Sequence, residues 1–407
     1  MYTFEQVIES STKYFGGDEL AASVFATKYA LISKDGSFLE KNPDEMHKRI
    51  AAEFARVESN YPNPMSESEI YSLLKDFKYV VPQGSPMSGI GNKNQIQSLS
   101  NCFVVESPHD SYGGILKTDQ EQVQIMKRRG GVGFDISSIR PKGLSTSNAA
   151  KTTDGIGVFM ERFSNSCREV AQGGRRGALM LTISVHHPDI ETFVNIKRDL
   201  SKVTGANISI RLSNEFMNAV EKNENFELRY PVDGEGEKLV SKSVNASELW
   251  DQIIESAHAS AEPGLLFWDN VLNFTPAQAY KDVGFNTVST NPCSEITLSA
   301  YDSCRLLLLN LTSFVKDPFT LNSSFDYDLF RDYTSKAQRL MDDLIDLEME
   351  CVDRIISKIE SDPEPESVKR SELELWEKIK EAAQNGRRTG LGVTGLGDTL
   401  AMLNLTY

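Results

Sequence analysis

The chain has 407 residues and a formal net charge of −15 at pH 7, with 40% hydrophobic and 25% charged residues. This length predicts one large barrel-like domain or two domains, because a single hydrophobic core usually stops growing below this size. The acidic balance argues against broad binding to the phosphate backbone of nucleic acid. No apolar run approaches the roughly 18 residues that would predict a membrane span.

The N-terminus lacks a basic region followed by an apolar stretch, so the sequence predicts no secretory signal. The cysteines are odd in number, lack CxxC spacing and lie at positions 102, 167, 293, 304 and 351. This usage predicts a reducing, cytoplasmic environment rather than a disulfide scaffold or a structural zinc site.

The first zone of the chain, residues 1–80, is predicted to be helical. Apolar residues recur at helical spacing behind acidic starts in 18–31 and 44–58. The segment 66–77 begins with a serine and an acidic first turn, as a capped helix does. We therefore expect a small helical N-terminal domain over 1–80 and a larger domain over 81–407.

Short β-rich runs alternate with helical patterns from residue 81 to about 320. Such alternation favours an α/β architecture. The candidate strands are SNCFVVES (100–107), VGFDISSI (132–139), ALMLTISV (178–185) and NISIRL (207–212). The His186-His187 pair that follows the third of these predicts a strand end, with a metal site as the alternative.

The remaining elements are a hairpin and several long helices. Residues 223–243 predict an exposed hairpin or insertion, and 247–261 predict a helix. Long amphipathic helices are expected over 324–361. An acidic, proline-containing break over 361–367 precedes a further helix over 371–386.

The most informative stretch is Asn291-Pro292-Cys293-Ser294-Glu295, which places an amide, a thiol and a carboxylate at alternate positions. In an extended or tight-loop backbone, alternate side chains point the same way. Pro292 biases the residue before it towards an extended backbone. The stretch therefore predicts chemistry on a small hydroxylated ligand. The alternative is a loop with a buried cysteine and a helix-capping asparagine.

Two more features indicate chemistry. Cys102 begins a candidate strand, and Cys304 follows Cys293 by eleven residues; each of the two could instead be a small buried hydrophobe. Glycines stand beside arginines in 128–143 and 172–178. Glycine lets a backbone approach a phosphate and arginine binds one bidentately, so these stretches predict phosphate contact, with strand-edge turns as the alternative.

Taken together, these stretches resemble the catalytic large (α) subunit of ribonucleotide reductase. The matching segments follow the family's order from about residue 85 to 400 and are SLSNCFVVES, KRRGGVGFDISSIRPKG, REVAQGGRRGALMLTISVHHPDIETF, AEPGLLFWDN, NPCSEITLSAYDSC and RRTGLGVTGLGD. The resemblance implies a ten-stranded α/β barrel, incomplete in this chain, with the catalytic cysteine on a central finger loop. It also implies reduction of ribonucleotides to 2′-deoxyribonucleotides for DNA synthesis by thiyl-radical chemistry.

The resemblance assigns roles to five residues. Cys293 matches the thiyl-radical cysteine that abstracts the 3′-hydrogen of the ribose. Glu295 matches the carboxylate that takes the 3′-OH proton, and Asn291 the amide that holds the ribose hydroxyls. Cys102 and Cys304 match the redox pair, of which one protonates the departing 2′-OH and both end as a disulfide. These roles suit the chemistry, since loss of water needs an acid and two electrons need a dithiol.

The resemblance also implies two binding sites. The substrate-contact positions are Asn101, Cys102, Gly131, Asn291 and Glu295, although many relatives have Ser where this chain has Asn101. The positions that match the deoxynucleoside triphosphate effector site are Asp110, Ser111 and Arg140. Loops 143–154 and 199–207 match the two segments that link effector binding to substrate choice.

The radical source is left open between two classes of the family. Class I uses a dimetal radical-generating small subunit, and class II uses adenosylcobalamin. The lack of an ATP-cone region, which puts overall dATP control in doubt, and the wording YDSCRLLLLNL favour class II. The other expected partners are the ribonucleotide, a second copy of the chain, and a thioredoxin or glutaredoxin type reductant, whereas no nucleic acid and no membrane are expected.

The chain departs from the family at its end. It stops at Tyr407, before the phosphate-binding Ser/Thr loop, the last barrel strands and the C-terminal cysteine pair of relatives. We therefore expect a truncated chain or the N-terminal piece of a split subunit, with a C-terminal piece completing the barrel. Two other functions remain open: a non-catalytic effector-binding module and a glycyl-radical-type enzyme acting on another substrate.

Overall fold

The computed structural model describes residues 1–170 and 177–407. The helices, α1 to α14, are Phe4–Tyr14, Glu19–Lys28, Pro43–Glu58, Glu67–Leu74, Ser85–Gly89, Tyr112–Met126, Ile156–Glu169, Ile190–Asn195, Asn214–Lys222, Ala246–Ser260, Trp268–Phe274, Tyr327–Ser361, Glu366–Gly386 and Leu396–Met402. The strands, β1 to β15, are Val80–Pro82, Cys102–Val104, Gly131–Asp135, Leu179–Ser184, Asn207–Leu212, Asn225–Tyr230, Val240–Asn245, Gly264–Phe267, Thr287–Thr290, Thr297–Ser299, Ser303–Cys304, Leu306–Asn310, Val315–Lys316, Ser324–Phe325 and Gly390–Thr394. In these two ranges, no helix combines the length and the apolar character that crossing a bilayer requires.

The N-terminal helices begin at side-chain caps. Asp18, Asn42 and Ser66 each accept a hydrogen bond from a backbone N–H in the first turn of α2, α3 and α4. Such caps satisfy donors that the helix itself leaves unpaired. The apolar faces of these helices share one core with β12 and α12, to which Leu307 and Leu309 contribute. The helical N-terminal region therefore packs directly on the sheet-bearing part of the chain.

The largest sheet has six strands in the order β11-β2-β3-β4-β5-β8. Strands β2, β3, β4, β5 and β8 are parallel, and β11 is antiparallel to β2. The chain passes between the parallel strands through α6, α7, α8 and the pair α9 and α10, since parallel neighbours need long crossovers. The sheet curves as a partly open half-barrel. The predicted α/β class, an incomplete barrel preceded by helices, is confirmed.

Strand β3 shows how the two faces of this sheet differ. On one face Phe134 packs against the crossover helices, with its ring centroid 4.9 Å from that of Phe163 in α7. On the other face Gly133 lies under the hairpin formed by β9 and β10. A Cβ atom at Gly133 would stand 1.9 Å from the carbonyl oxygen of Thr290. A residue without a side chain is therefore required for the hairpin to lie against the sheet.

A second sheet, with the order β1-β12-β15, begins one residue after the first sheet ends. Strand β11 ends at Cys304, β12 begins at Leu306, and the fully buried Arg305 lies between them. The Arg305 guanidinium donates from Nη2 to Ser303 Oγ at 3.0 Å and from Nη1 to the Arg388 carbonyl oxygen at 3.2 Å. The cation thus holds the junction between the two sheets.

Most predicted elements lie where the sequence placed them. NISIRL is strand β5 over the same six residues, and the predicted hairpin over 223–243 is formed by β6 and β7. The predicted break over 361–367 is shorter in the structure. Two prolines fall within 362–365, and α13 begins directly after them at Glu366.

Replacement of Gly133 by alanine should lower the free energy of unfolding by about 1–3 kcal/mol, the usual range for overpacking. The new Cβ would meet a backbone oxygen, which no rotamer change can move away. Urea denaturation of the two proteins measures the difference. Gly397→Ala is the matched control, because a Cβ there would meet nothing within 4 Å. Equal stability of the Gly133→Ala protein and the unaltered chain would contradict the packing argument.

Candidate active site

The segment 291–295 forms the turn of the β9–β10 hairpin. The Asn291 N–H donates to the Ile296 carbonyl at 3.0 Å, and the Ser294 N–H donates to the Asn291 carbonyl at 3.1 Å. The Asn291 side chain closes the turn further, because its Oδ1 accepts from the Ile296 N–H at 3.1 Å. Of the two backbone forms considered from the sequence, the tight loop is therefore the one present.

Strands β3 and β5 hold this loop in place. A Cβ at Gly131 would lie 2.8 Å from Pro292 Cγ, so the loop rests on that glycine. Asn207 Nδ2 donates to the Pro292 carbonyl at 2.7 Å, and Ser209 Oγ lies 3.3 Å from Ser294 Oγ. Sequence reasoning missed Asn207 and Ser209. Their alternate polar positions in the strand NISIRL were the signal that could have found them.

The structure brings Cys102 and Cys304 together. They stand directly opposite each other on the antiparallel neighbours β2 and β11. Opposite residues in such a pair have Cα atoms roughly 4.5–5.5 Å apart, which is within the range that a disulfide can bridge. Both are free thiols, and Cys304 is buried. The pair can therefore be oxidised without a large movement of the backbone.

Two groups of the hairpin loop act on Cys102. Asn291 is fully buried, and its Nδ2 donates to Cys102 Sγ at 3.8 Å. The pKa of Cys102 is raised well above its ordinary value, first by its hydrogen bond with Cys304, then by burial, with the negative charge of Glu295 adding to the rise. Cys102 therefore remains a protonated thiol at neutral pH and can act as an acid.

The three chemical groups of the loop differ in exposure. Asn291 turns into the protein towards Cys102, whereas Cys293 and Glu295 are exposed. The loop thus presents a thiol and a carboxylate on its open side and an amide on its inner side. A ligand that reached all three would have to lie along the edge of the loop.

Two buried polar atoms next to the cysteine pair lack a hydrogen-bond partner among the described residues. They are Ser85 Oγ and Asn101 Nδ2. The Ser85 N–H donates to Asn101 Oδ1 at 2.8 Å, which keeps the two side chains adjacent. Buried polar groups are normally paired, so these atoms are suited to a polar ligand. The sequence indicated Asn101 but not Ser85, which lies at the start of the short helix α5.

One cavity contains the predicted effector positions. It has a volume of about 250 Å³ and is lined by Asp110, Ser111, Arg140 and much of the loop 143–154. Arg140 Nε donates to Asp110 Oδ2 at 2.7 Å. Ser111 caps α6, accepting from the Gly114 N–H at 3.0 Å. A cation beside a helix N-terminus is a suitable environment for phosphate.

The loop 199–207 contacts helix α7 as well as the hairpin loop. Its Gly205 N–H donates to Ser164 Oγ of α7 at 2.9 Å. The first turn of α7 carries Val158, which lines the effector cavity. At its other end the loop reaches Asn207, which contacts the hairpin loop. The loop and α7 therefore contribute contacts to both predicted sites.

Two further features noted in the sequence are the histidine pair and the glycine-arginine stretch 172–178. His186 and His187 follow β4, and the His187 Nε2 lies 2.8 Å from the Ile139 carbonyl oxygen. Burial lowers the pKa of both rings. The strand-end interpretation is confirmed. Within the glycine-arginine stretch 172–178, residues 172–176 lie outside the described residues.

Mild oxidation of the reduced chain should link Cys102 to Cys304, because they face each other across neighbouring strands. Linkage should become faster at alkaline pH, since the thiolate is the attacking form and the pKa of Cys102 is raised. Mass spectrometry of a non-reduced digest identifies the linked peptides, and Cys304→Ser should remove them. A main product that joins Cys293 to another cysteine would contradict this geometry.

Comparisons with known proteins agree with this architecture. The model of the ribonucleotide reductase barrel domain matches residues 100–407, and that of the ribonucleotide reductase all-alpha domain matches residues 15–94. A vitamin B12-dependent ribonucleoside-diphosphate reductase of Mycobacterium tuberculosis is 30% identical over 392 residues, which cover 95% of this chain and 51% of the relative.

Two further relatives extend the comparison. A protein of Thermoplasma acidophilum with the same name is 32% identical over 341 residues, covering 83% of this chain and 39% of its own length. The ribonucleoside-diphosphate reductase large chain of Neurospora crassa is 28% identical over 372 residues, which cover 82% of this chain and 37% of the relative. The chain thus spans about half the length, or less, of these relatives. Because the barrel-domain match covers most of its residues, this chain belongs to the ribonucleotide reductase family.

Proposed function

We propose that this chain provides the dithiol, radical-cysteine and effector-binding parts of an oxidoreductase that converts ribonucleotides to 2′-deoxyribonucleotides. The observation that carries the proposal is the convergence of Asn291 and Cys304 on the Cys102 thiol, with Glu295 close enough to influence its pKa. An acid, a potential base and a two-electron dithiol then lie around one point. Relatives whose names specify diphosphates support a ribonucleoside diphosphate as substrate.

The first step takes place on the open side of the loop. The Cys293 thiyl removes the 3′-hydrogen atom from the ribose, which forms an S–H bond and leaves a carbon radical. Glu295 accepts the 3′-OH proton, since a carboxylate is a suitable base at neutral pH. The side chains of Cys293 and Glu295 are both exposed, so both can reach a ligand that lies outside the loop.

The second step uses the Cys102–Cys304 pair. Cys102 is held in its protonated form, so it can donate a proton to the 2′-OH, which leaves as water. Cys102 and Cys304 then deliver a hydrogen to C2′ and one further electron to the resulting 3′-ketone, and their sulfurs join as a disulfide. Glu295 returns its proton to O3′. Cys293 returns its hydrogen to C3′ and is again a thiyl. The net change is one C–O bond lost as water, one C–H bond gained and one dithiol oxidised.

Substrate contacts are proposed at the inner edge of the loop. Asn291 presents its amide there, and Ser85 and Asn101 offer buried polar atoms that need partners. Gly131, on which Pro292 rests, lies directly beneath the loop. These groups would hold the ribose and the nearest phosphate, with the Glu295 carboxylate on the opposite side.

The radical source is proposed to be adenosylcobalamin rather than a dimetal small subunit. The named relatives in Mycobacterium tuberculosis and Thermoplasma acidophilum are vitamin B12-dependent. Such a cofactor, when bound, supplies the one-electron oxidation that converts a thiol to a thiyl. Cys293 fits this role because its thiol is exposed on the loop and accessible to an external oxidant.

Further partners follow from the chemistry and from uncovered surfaces. The disulfide left on Cys102 and Cys304 needs a reductant of the thioredoxin or glutaredoxin type. We therefore propose that the chain acts in a reducing compartment such as the cytoplasm.

Strand β15 is a sheet edge that carries exposed Val393 and is followed by exposed Leu396. Apolar edges of this kind need a cover, and we propose that the C-terminal half of a reductase subunit packs there. We also propose that the chain has two domains, as its sequence pattern predicts: a helical domain over 1–80 and a reductase barrel domain over 81–407.

The effector site is proposed at the 250 Å³ cavity. A deoxynucleoside triphosphate there would contact Arg140, Ser111 and the loop 143–154, and its binding would be transmitted through α7 and the loop 199–207. Self-association of two chains would complete that site. A non-catalytic role as an effector-binding module is the second candidate, favoured by the fact that Asp110, Ser111 and Arg140 line one cavity of this chain. If the chain binds nucleotide but shows no turnover when a C-terminal reductase half and a radical source are added, the non-catalytic role is favoured.

Cys293→Ser should abolish deoxynucleotide formation while nucleotide binding persists, because a serine O–H bond is too strong to supply an equivalent radical. The assay combines the chain with a C-terminal reductase half, adenosylcobalamin, dithiothreitol, effector and ribonucleotide, and detects the product by mass spectrometry. Cys351→Ser is the matched control, since that cysteine is buried in α12 and accepts a hydrogen bond from Arg354 at 3.0 Å. Residual turnover in Cys293→Ser comparable to the control would refute the thiyl role.

Arg140→Gln should weaken the binding of a deoxynucleoside triphosphate by about tenfold or more, the loss expected for a charge-assisted phosphate contact. Calorimetry measures the dissociation constant, and sedimentation reports whether the effector still promotes self-association. Arg198→Gln is the matched control. It makes the same charge change on the surface beside Glu255, and Arg198 does not line the cavity. Equal affinities for the two variants would argue against an effector role for this cavity.

A further inference from the structure

Another cavity lies where the helical N-terminal region meets the sheet. It has a volume of about 370 Å³, larger than the effector cavity, and neither the reductase chemistry nor the effector proposal uses it. One side is formed by the end of α2 and the segment after it, which include Lys28 and Ile32. The other side includes Gln97, which precedes β2, and Lys127 and Arg129, which lie between α6 and β3. We refer to it as the junction cavity.

The lining of the junction cavity is basic although the chain as a whole is acidic. Lys28, Lys127 and Arg129 line it, and no Asp or Glu does so among the described residues. Glu372 is the carboxylate that reaches this cluster from outside, pairing with Lys127 at 2.7 Å and with Arg128 at 3.5 Å. One carboxylate is thus shared by two cations, Lys127 of the lining and its neighbour Arg128.

A buried amide adds a second, independent observation. Gln97 is 5% exposed, and its Nε2 has no hydrogen-bond partner in the described part of the chain. Lys28 likewise forms no ion pair with a described residue, whereas Arg129 Nη2 donates to the Lys28 carbonyl at 3.3 Å. Since buried donors are normally paired, Gln97 indicates that an acceptor belongs in this cavity.

We propose that the junction cavity binds a small phosphate-bearing anion. Lys28 and Arg129 supply positive charge, and Gln97 supplies a neutral N–H donor, which together match a phosphate group. Ile32 and Ile96 provide an apolar wall for the remainder of a ligand. The volume admits a mononucleotide as well as free phosphate or pyrophosphate. This proposal does not depend on the reductase mechanism, because it involves other residues.

An anion bound in the junction cavity could influence the active site through strand β3. Arg129 precedes Gly131 by two residues, and Gly131 lies under Pro292 of the hairpin loop. Binding that orders the start of β3 would therefore stabilise the strand on which the catalytic loop rests. The same anion would join the N-terminal helices to the sheet.

The test is calorimetric titration of the full chain with pyrophosphate and with AMP. Lys28→Glu should weaken binding by about tenfold or more, because it reverses a charge at the cavity. Lys34→Glu is the matched control, since Lys34 is also exposed but does not line the cavity, and it should bind as the unaltered chain does. Circular dichroism checks that both variants fold.

Arg140→Gln separates the junction cavity from the effector cavity. Retention of pyrophosphate binding in Arg140→Gln together with its loss in Lys28→Glu supports the proposal. Tighter binding of AMP than of pyrophosphate would identify the ligand as a mononucleotide, and the reverse would identify a free phosphate species. No measurable binding of either, or equal binding by the Lys28→Glu and Lys34→Glu proteins, would overturn it. A loss confined to Arg140→Gln would assign the anion to the effector cavity and would also overturn it.

Discussion

The close approach of the β9–β10 hairpin to strand β3 is the contact on which the candidate site depends. Gly133 leaves room for the Thr290 carbonyl, and polar contacts then fix the hairpin laterally: Thr182 Oγ1 lies 2.9 Å from Ser289 Oγ, and Asn207 holds the Pro292 carbonyl. The loop is thereby supported by three neighbouring strands rather than by its own turn. Catalytic groups need positions fixed to within roughly 0.5 Å, and a loop on so short a hairpin would not reach this alone.

The redox pair is stabilised from the opposite direction. Strand β11 is only two residues long, so its position relative to β2 depends on what lies behind it. Glu348 of the long helix α12 is fully buried and accepts a hydrogen bond from Ser100 Oγ at 2.9 Å. Arg305 binds Ser303 on the partner strand, and Ser100 Oγ reaches Ser303 Oγ at 3.3 Å. A buried charge layer therefore sets the register that places Cys102 opposite Cys304.

The sequence predicts the parts of this arrangement that are local. Alternation in NISIRL predicts β5, the caps predict the N-terminal helices, and the spacing within Asn291–Glu295 predicts a compact chemical site. The pairing of Cys102 with Cys304 could not be derived from spacing, because about half the chain separates them; it came from family resemblance. Ser85 and the junction cavity could not be predicted either, since each exists only where distant segments meet.

One side chain, cysteine, is given two kinds of chemistry by its surroundings. Cys293 is exposed on a loop, where a radical source and a ribose can both reach it. Cys102 has a raised pKa because Cys304 and burial favour its neutral form. A thiol held neutral resists unwanted oxidation, since thiolate is the reactive form, yet it can still donate a proton. In the proposed mechanism the protein therefore separates radical chemistry from acid and redox chemistry through hydrogen bonding and burial, and the hairpin keeps the two thiol environments within reach of one ribose.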